Sequence, residues 1–167
     1  SDRMLDLVKI SSMQLDLDKY INKHHKETDK EERTNKKLLA LKQELGEVVQ
    51  EMPEWFKFWS NKKNNLKAAQ KEFADVLHFV VSIGNDIGYD FSRFNHSFID
   101  YEEEYHLINW IYQLIPPDIE NITKRRYGTL LNYCLRLATT LNLAYDEIEK
   151  MYQEKWEINF KRQDEGY

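Results

Sequence analysis

The sequence predicts an all-α fold, on three observations. Only 5 Gly and 3 Pro occur among 167 residues, below the average usage of roughly 7% and 5%, so the chain has few tight turns to make. Apolar residues recur at spacings of three and four, the period of a helix face. No stretch sustains the alternation of a half-buried strand, and no internal repeat stands out. The length suits one domain spanning 1–167 with a sizeable core.

A first helix is expected over 4–24, with Leu5, Val8, Leu15 and Ile21 among its apolar positions. The polar run "HHKETDKEERTN" reads as the link to a second helix, from Lys36 to Met52. That helix buries Leu38, Leu41, Leu45, Val48 and Met52 and is stopped by Pro53. An aromatic and basic connection, "EWFKFWSNKKNN", ends in loop-forming Asn65. The third helix, "LKAAQKEFADVLHFVVSIGNDIG", carries Leu66, Ala69, Phe73, Val76, Val80 and Ile87 at helical spacing and weakens at Gly84 and Gly88. The mixed aromatic stretch that follows is expected to be helical from Phe98 to Leu114. Pro116 and Pro117 break the chain, and Asp118 is placed to cap the next helix. Helices then fit Ile119–Leu141 and Tyr145–Phe160, with Asn142 between them.

Composition narrows the function classes. The balance of 24 basic and 29 acidic residues gives a net charge of −5, without the global basic field of a dedicated nucleic-acid binder, so no direct nucleic-acid partner is expected. The single Cys134 excludes an intramolecular disulfide and a cysteine-based zinc cluster. No apolar run approaches the roughly 20 residues of a membrane span, and "SDRMLDLVKI" lacks the layout of a secretory signal. The expectation is an intracellular, cytoplasmic protein.

Two pairs of acids carry the chemistry. Glu44 and Glu47 lie one turn apart on the shoulder of the second helix's apolar stripe, and Glu72 and Asp75 do the same on the third. Residues at i and i+3 project from one side of a helix. If the two helices pack antiparallel, four carboxylates converge on one small volume, where their repulsion calls for a cation. Carboxylate oxygens suit hard Mg²⁺, which also bridges phosphate oxygens. Read one at a time, each pair equally fits solvated residues balanced by surface lysines. On the last helix Lys155, Asn159 and Arg162 recur at i, i+4 and i+7 on one face. Two cations around an amide suit a polyphosphate and a nearby base edge.

The motifs in order resemble a known family. "ELGEVVQEMPEWFKFWS" followed by "EFADVLHFVVSIGND" is similar to the E-x-x-E and E-x-x-D pair of the all-α nucleoside triphosphate pyrophosphatases, the MazG-like superfamily. More narrowly, "MQLDLDKYI", "FKFWS", "DVLHFVVS" and the closing "KWEINFKRQDEGY" resemble the dimeric dUTP diphosphatases, and the aromatic-rich middle is most similar to bacteriophage members. Residues 89–145 carry little of the resemblance.

The resemblance implies a helical bundle with a four-helix metal-binding core, a homodimer, and Mg²⁺-dependent hydrolysis of dUTP and dUDP to dUMP. It implies Glu44, Glu47, Glu72 and Asp75 as metal ligands, with Glu47 also deprotonating the attacking water. It further implies Lys155 and Arg162 on the phosphates, Asn159 on the nucleoside and Gln14 on the uracil edge, with Asp18 one turn on. Phe56 and Trp59 would wall the base, Lys57 would meet phosphate, His78 would line the nucleoside pocket and Asn85 would reach the sugar. Gly166–Tyr167 reads as an aromatic lid ordered by substrate. Some phage relatives bind regulatory proteins, so a repressor-like second partner is an expectation here too.

Three alternatives remain open on sequence. A ferritin-like di-iron protein needs E-x-x-H motifs, and Asp75-x-x-His78 and Glu103-x-x-His106 come near that pattern. A MazG-like pyrophosphatase would act on another nucleotide, although the closing segment favours dUTP. A helical protein-interaction module would use "YDFSRFNHSFIDYEEEYHLINWIYQL" as its interface.

Overall fold

The computed structural model describes residues 5–26 and 29–167. It contains six α-helices in the order α1 (Leu7–His24), α2 (Lys30–Gln50), α3 (Leu66–Asp86), α4 (Glu104–Leu114), α5 (Lys124–Thr140) and α6 (Tyr145–Asp164), with three short 3-10 turns and no strand among the described residues. The all-α expectation holds. Met4, where the first helix was expected to begin, and Glu27 and Thr28 in the expected link lie outside the described residues.

α3 is the axis of the molecule, packed by α1, α2, α5 and α6. Its sequence explains why. Phe73, Val76, Leu77, Val80, Val81 and Ile83 are all buried, so more than one face of the helix is apolar. Asn65 caps it by accepting the Ala68 amide at 3.1 Å, and the Asn65 amide donates to the Glu51 carbonyl at 2.8 Å, which closes the α2–α3 connection. Glu54 and Asn64 exchange two further bonds of 2.9 Å. The connection is pinned at its base while Phe58 and Trp59 stand out, 95% and 65% exposed.

Three helix starts lie five or more residues from the sequence reading, each for a local reason. α2 starts at Lys30 rather than Lys36, because the Asp29 side chain accepts the Glu32 amide at 2.8 Å and Glu31 and Glu32 suit the positive end of the helix. Residues 30–35 of the charged run taken as a link therefore belong to α2. α4 starts at Glu104 rather than Phe98, and the chain before it lies extended along α5. There the Asn132 side chain accepts the Ser97 amide and donates to the Ser97 carbonyl, both at 3.1 Å, and Arg136 donates to the Ile99 carbonyl at 2.9 Å. These side chains satisfy backbone groups that a helix would otherwise have paired. Asp118 caps only a 3-10 turn, and α5 begins after Thr123, whose hydroxyl accepts the Arg126 amide at 3.0 Å.

α6 runs past the expected Phe160 to Asp164 and is laced to α1. The Trp156 indole donates to the Met13 carbonyl at 2.7 Å, Tyr20 hydrogen-bonds Asp164, and Tyr20 and Phe160 pack ring to ring at 4.9 Å. Asn142, at φ 60°, turns the chain between α5 and α6, and the Leu143 amide bonds back to the Ala138 carbonyl at 3.0 Å. No helix among the described residues is long and apolar enough to cross a membrane.

Candidate active site

The α2–α3 hairpin brings the acids together. Glu44, Glu72 and Asp75 each offer a carboxylate oxygen, and the three oxygens lie within 4.8 Å of one another. All three residues are half-buried. Among the described residues, the Lys155 ammonium, 3.1 Å from Asp75, is the cluster's one direct counter-charge. That is too little. Burial, and then the charges of Asp75, Glu72 and Glu47, push the Glu44 carboxyl up from 4.5 to about 7. Burial and the charges of Asp75 and Glu47 push Glu72 up as well. Glu47 sits beside this triad, with Oε1 accepting from the Gln43 amide at 3.0 Å. Partly buried acids short of positive charge are the donor set that a hard divalent cation fits. Among the described residues no histidine joins the acid triad: His106 lies on α4 against Tyr105 and Trp110, and His78 stacks on Tyr152, so the two E-x-x-H-like motifs are not brought together.

A cavity of about 410 Å³ opens from this cluster between α1, α2, α3 and α6. Glu44 and Asp75 form one end of it, and Lys155, Asn159 and Arg162 line it from α6 as their spacing required. Gln14, Asp18 and His78 also line it. Tyr167 stands at its edge, 74% exposed, with the Arg162 guanidinium 5.1 Å from its ring centre and its amide bonded to the Arg162 carbonyl at 2.9 Å. Four expected residues are not brought there. Phe56, Lys57 and Trp59 lie on the α2–α3 connection, where Lys57 sits 5.6 Å from the Phe56 ring. The Asn85 amide donates to the Ser11 carbonyl at 2.9 Å and ties α3 to α1.

The far end of the cavity is a polar network of which the sequence reading named only Gln14 and Asp18. Gln14 donates to Asp18 at 3.0 Å and accepts from the Tyr152 hydroxyl at 2.5 Å. Asp18 also accepts from Ser82 at 2.6 Å. The Lys37 ammonium stands 2.7 Å from Asp86 and 3.8 Å from Asp18, and Thr34 donates to Asp86 at 2.8 Å. Burial pushes the Asp18 carboxyl up, and Lys37, Ser82 and Gln14 partly offset this. Both oxygens of Asp18 and the orientation of the Gln14 amide are thereby fixed. The pair offers acceptor lone pairs beside one free N–H, which complements a donor next to a carbonyl on a planar base edge. His78 stacks on Tyr152 at 4.1 Å with 12° between the rings, and neither ring nitrogen has a hydrogen-bond partner. Burial holds its imidazole down to about 3, so it is neutral at physiological pH.

A larger cavity, about 750 Å³, lies elsewhere, between the irregular chain at 94–100 and α5. Asp100 is the one acid in its lining among the described residues. A family model described as dUTPase matches residues 6–167. No curated protein and no solved structure gives a significant match to the chain.

Proposed function

The chain belongs to the dimeric, all-α dUTPase family, whose members are dUTP diphosphatases acting on a nucleoside triphosphate, and on that premise we propose a Mg²⁺-dependent hydrolysis of dUTP and dUDP to dUMP at the α2–α3 acid cluster. The observation that carries this reading is the convergence of Glu44, Glu72 and Asp75 within 4.8 Å around too little positive charge. Those three and Glu47 would hold the metal. When bound, Mg²⁺ neutralises the acids and the phosphates and lowers the pKa of water.

The remaining steps fall to residues of the chain. Lys155 and Arg162, at the mouth of the cluster, bind phosphate oxygens. Lys155 leaves Asp75 to do so, exchanging one charge-assisted bond for another. Gln14 and Asp18 present their fixed donor and acceptor to the uracil edge, and neutral His78 with Asn159 lines the nucleoside. Glu47, oriented by Gln43, takes a proton from the attacking water. The water oxygen bonds to a phosphorus of the α–β bridge, and the Pα–O–Pβ linkage breaks. The bridging oxygen departs with the other fragment, giving dUMP with pyrophosphate from dUTP or phosphate from dUDP, and one proton passes to solvent.

The homodimer and a repressor-like protein partner belong to the same proposal. Phe58, Trp59 and Phe98, at 65–95% exposure, supply apolar surface for such contacts. A pyrophosphate-release screen over dUTP, dTTP, dCTP and UTP, with Mg²⁺ and with chelator, tests the reading. Turnover confined to dUTP with Mg²⁺ is expected. Preference for another nucleotide would move the chain's activity toward the broader pyrophosphatases.

A further inference from the structure

Gln14 reads a base edge through an amide, and an amide is ambiguous. Its carbonyl and amino ends are nearly equal in shape, and a half-turn exchanges acceptor for donor. Uracil presents a ring N–H beside a carbonyl. Cytosine presents a ring lone pair beside an amino group. One orientation of the Gln14 amide therefore fits uracil and the other fits cytosine, so choosing between the bases requires that the amide be held.

The structure supplies a hold at each end of it. At the carbonyl end the Tyr152 hydroxyl donates to Oε1 at 2.5 Å. Burial, with the Asp18 charge beside it, raises the phenol well above its ordinary range, so Tyr152 keeps the proton it donates. At the amino end Nε2 donates to Asp18 Oδ1 at 3.0 Å. A carboxylate only accepts, so a turned amide would set oxygen against oxygen. Gln14 and Tyr152 are both buried, which makes an unpaired amide group costly.

Each hold is fixed in turn by another helix. The Tyr152 ring lies flat on His78 of α3, with the ring centres 4.1 Å apart. One turn further along α6, the Trp156 indole donates at 2.7 Å to the carbonyl of Met13, the residue before Gln14, and so sets α6 against α1 at this point. The second oxygen of Asp18 accepts from Ser82 of α3 at 2.6 Å and faces the Lys37 ammonium of α2 at 3.8 Å. Lys37 is anchored by Asp86 at 2.7 Å, and Thr34 donates to the same Asp86 oxygen at 2.8 Å. Helices α1, α2, α3 and α6 thus all bear on one amide, and a group supported from rigid elements has little freedom to take a second orientation.

We propose that Tyr152 and Ser82 are positioning residues that lock the Gln14–Asp18 pair in its uracil-reading orientation and thereby set a preference for uracil over cytosine. This rests on the hydrolase reading above and adds what chooses the base. Tyr152 acts from behind Gln14, outside the lining of the cavity.

The test is calorimetric titration of dUMP and of dCMP, without metal, into the wild type, Tyr152→Phe, Ser82→Ala and the double variant, each shown folded by circular dichroism. Phenylalanine keeps the ring on His78 and removes only the hydroxyl, and alanine removes only the donor to Asp18. The wild type should prefer dUMP. Each single substitution should weaken dUMP binding by about fivefold, the usual worth of one hydrogen bond, without weakening dCMP binding. In the double variant the preference should fall by about tenfold or more. In turnover the dUTP KM should rise with kcat little altered, because the acid cluster is untouched. A wild type without a preference, whether it binds both nucleotides or neither, overturns the proposal. So do variants that keep the wild-type preference, or that lose dUMP and dCMP affinity equally, as a purely structural role would require. Failure of the hydrolase reading would show differently, as a preference for dUMP in a wild type that does not turn over dUTP.

Discussion

Glu44 is held where a carboxylate is unfavourable until a cation arrives, and this fixes the sign of its effect on stability. Its folded-state value, about 7, lies above the ordinary 4.5. The folded chain therefore keeps a proton that the unfolded chain has lost. The associated stability is full below about 4.5 and is lost as pH rises through about 7. His78 acts in the opposite direction, since burial holds it neutral while the unfolded residue gains a proton below its ordinary value of 6.5. The informative quantity is consequently a difference between variants. Glu44→Gln should melt above the metal-free wild type at pH 8 and close to it at pH 5, while losing Mg²⁺-dependent turnover. Thermal melts at both pH values check this; an unchanged offset would mean that Glu44 is not electrostatically strained.

The acids were legible because i, i+3 spacing on two apolar helices is a property of the sequence alone. Lys155, Asn159 and Arg162 were legible for the same reason. The network at the base end was not. Asp18, Lys37, Ser82 and Tyr152 come from four helices, and no spacing rule links them. Lys37 was read as the second residue of its helix, with no preceding turn to define the face it takes.

At the scale of elements, α3 shows what a weak helix signal can hide. Gly84 read as the end of a helix, yet it lies inside α3 and is buried, because two aromatic rings cross it. A Cβ there would lie 2.6 Å from Cζ of both Tyr127 and Phe91. Tyr127 cannot withdraw, being fully buried with its hydroxyl donating to the Val80 carbonyl at 2.6 Å. Alanine gains up to about 1 kcal/mol in helix propensity over glycine, but overpacking typically costs about 1–3 kcal/mol. Gly84→Ala should thus be net destabilising, read as a lower urea midpoint at unchanged slope. A higher midpoint would show that α5 can move away. The start of α2 teaches the complementary point. Asp29 with Glu31 and Glu32 was a helix-start signature within a polar run, and the absence of apolar residues there concealed it. The segment at 98–103 was misread as helix for the opposite reason. Its aromatic residues suggested a buried face, whereas side chains of α5 hold it extended.

For the molecule as a whole, the fold class was legible from the scarcity of Gly and Pro, and the order of helices followed from their stripes. The packing of residues 89–145 around α3 was not, because no motif there marks a partner. Apart from Tyr167, the most exposed aromatic side chains stand at two separate places, the α2–α3 connection and Phe98. Light scattering on a sizing column should give twice the mass of one chain, and Phe58→Ser/Trp59→Ser or Phe98→Ser should shift the species toward a monomer if either patch is the contact. A monomeric wild type would remove the dimer from the account.

The central claim is that a cation held by the α2–α3 carboxylates makes this a dUTP hydrolase, with Glu47 moving the proton. The most direct measurement is the rate of pyrophosphate release from dUTP across a Mg²⁺ titration, in the wild type and in Glu47→Gln, each shown folded by circular dichroism. The account expects a saturable Mg²⁺ dependence in the wild type and, in the variant, a rate lower by about 10²–10⁴, the usual worth of a positioned acid or base. A near wild-type rate in Glu47→Gln, or wild-type turnover that persists without a divalent ion, would contradict it.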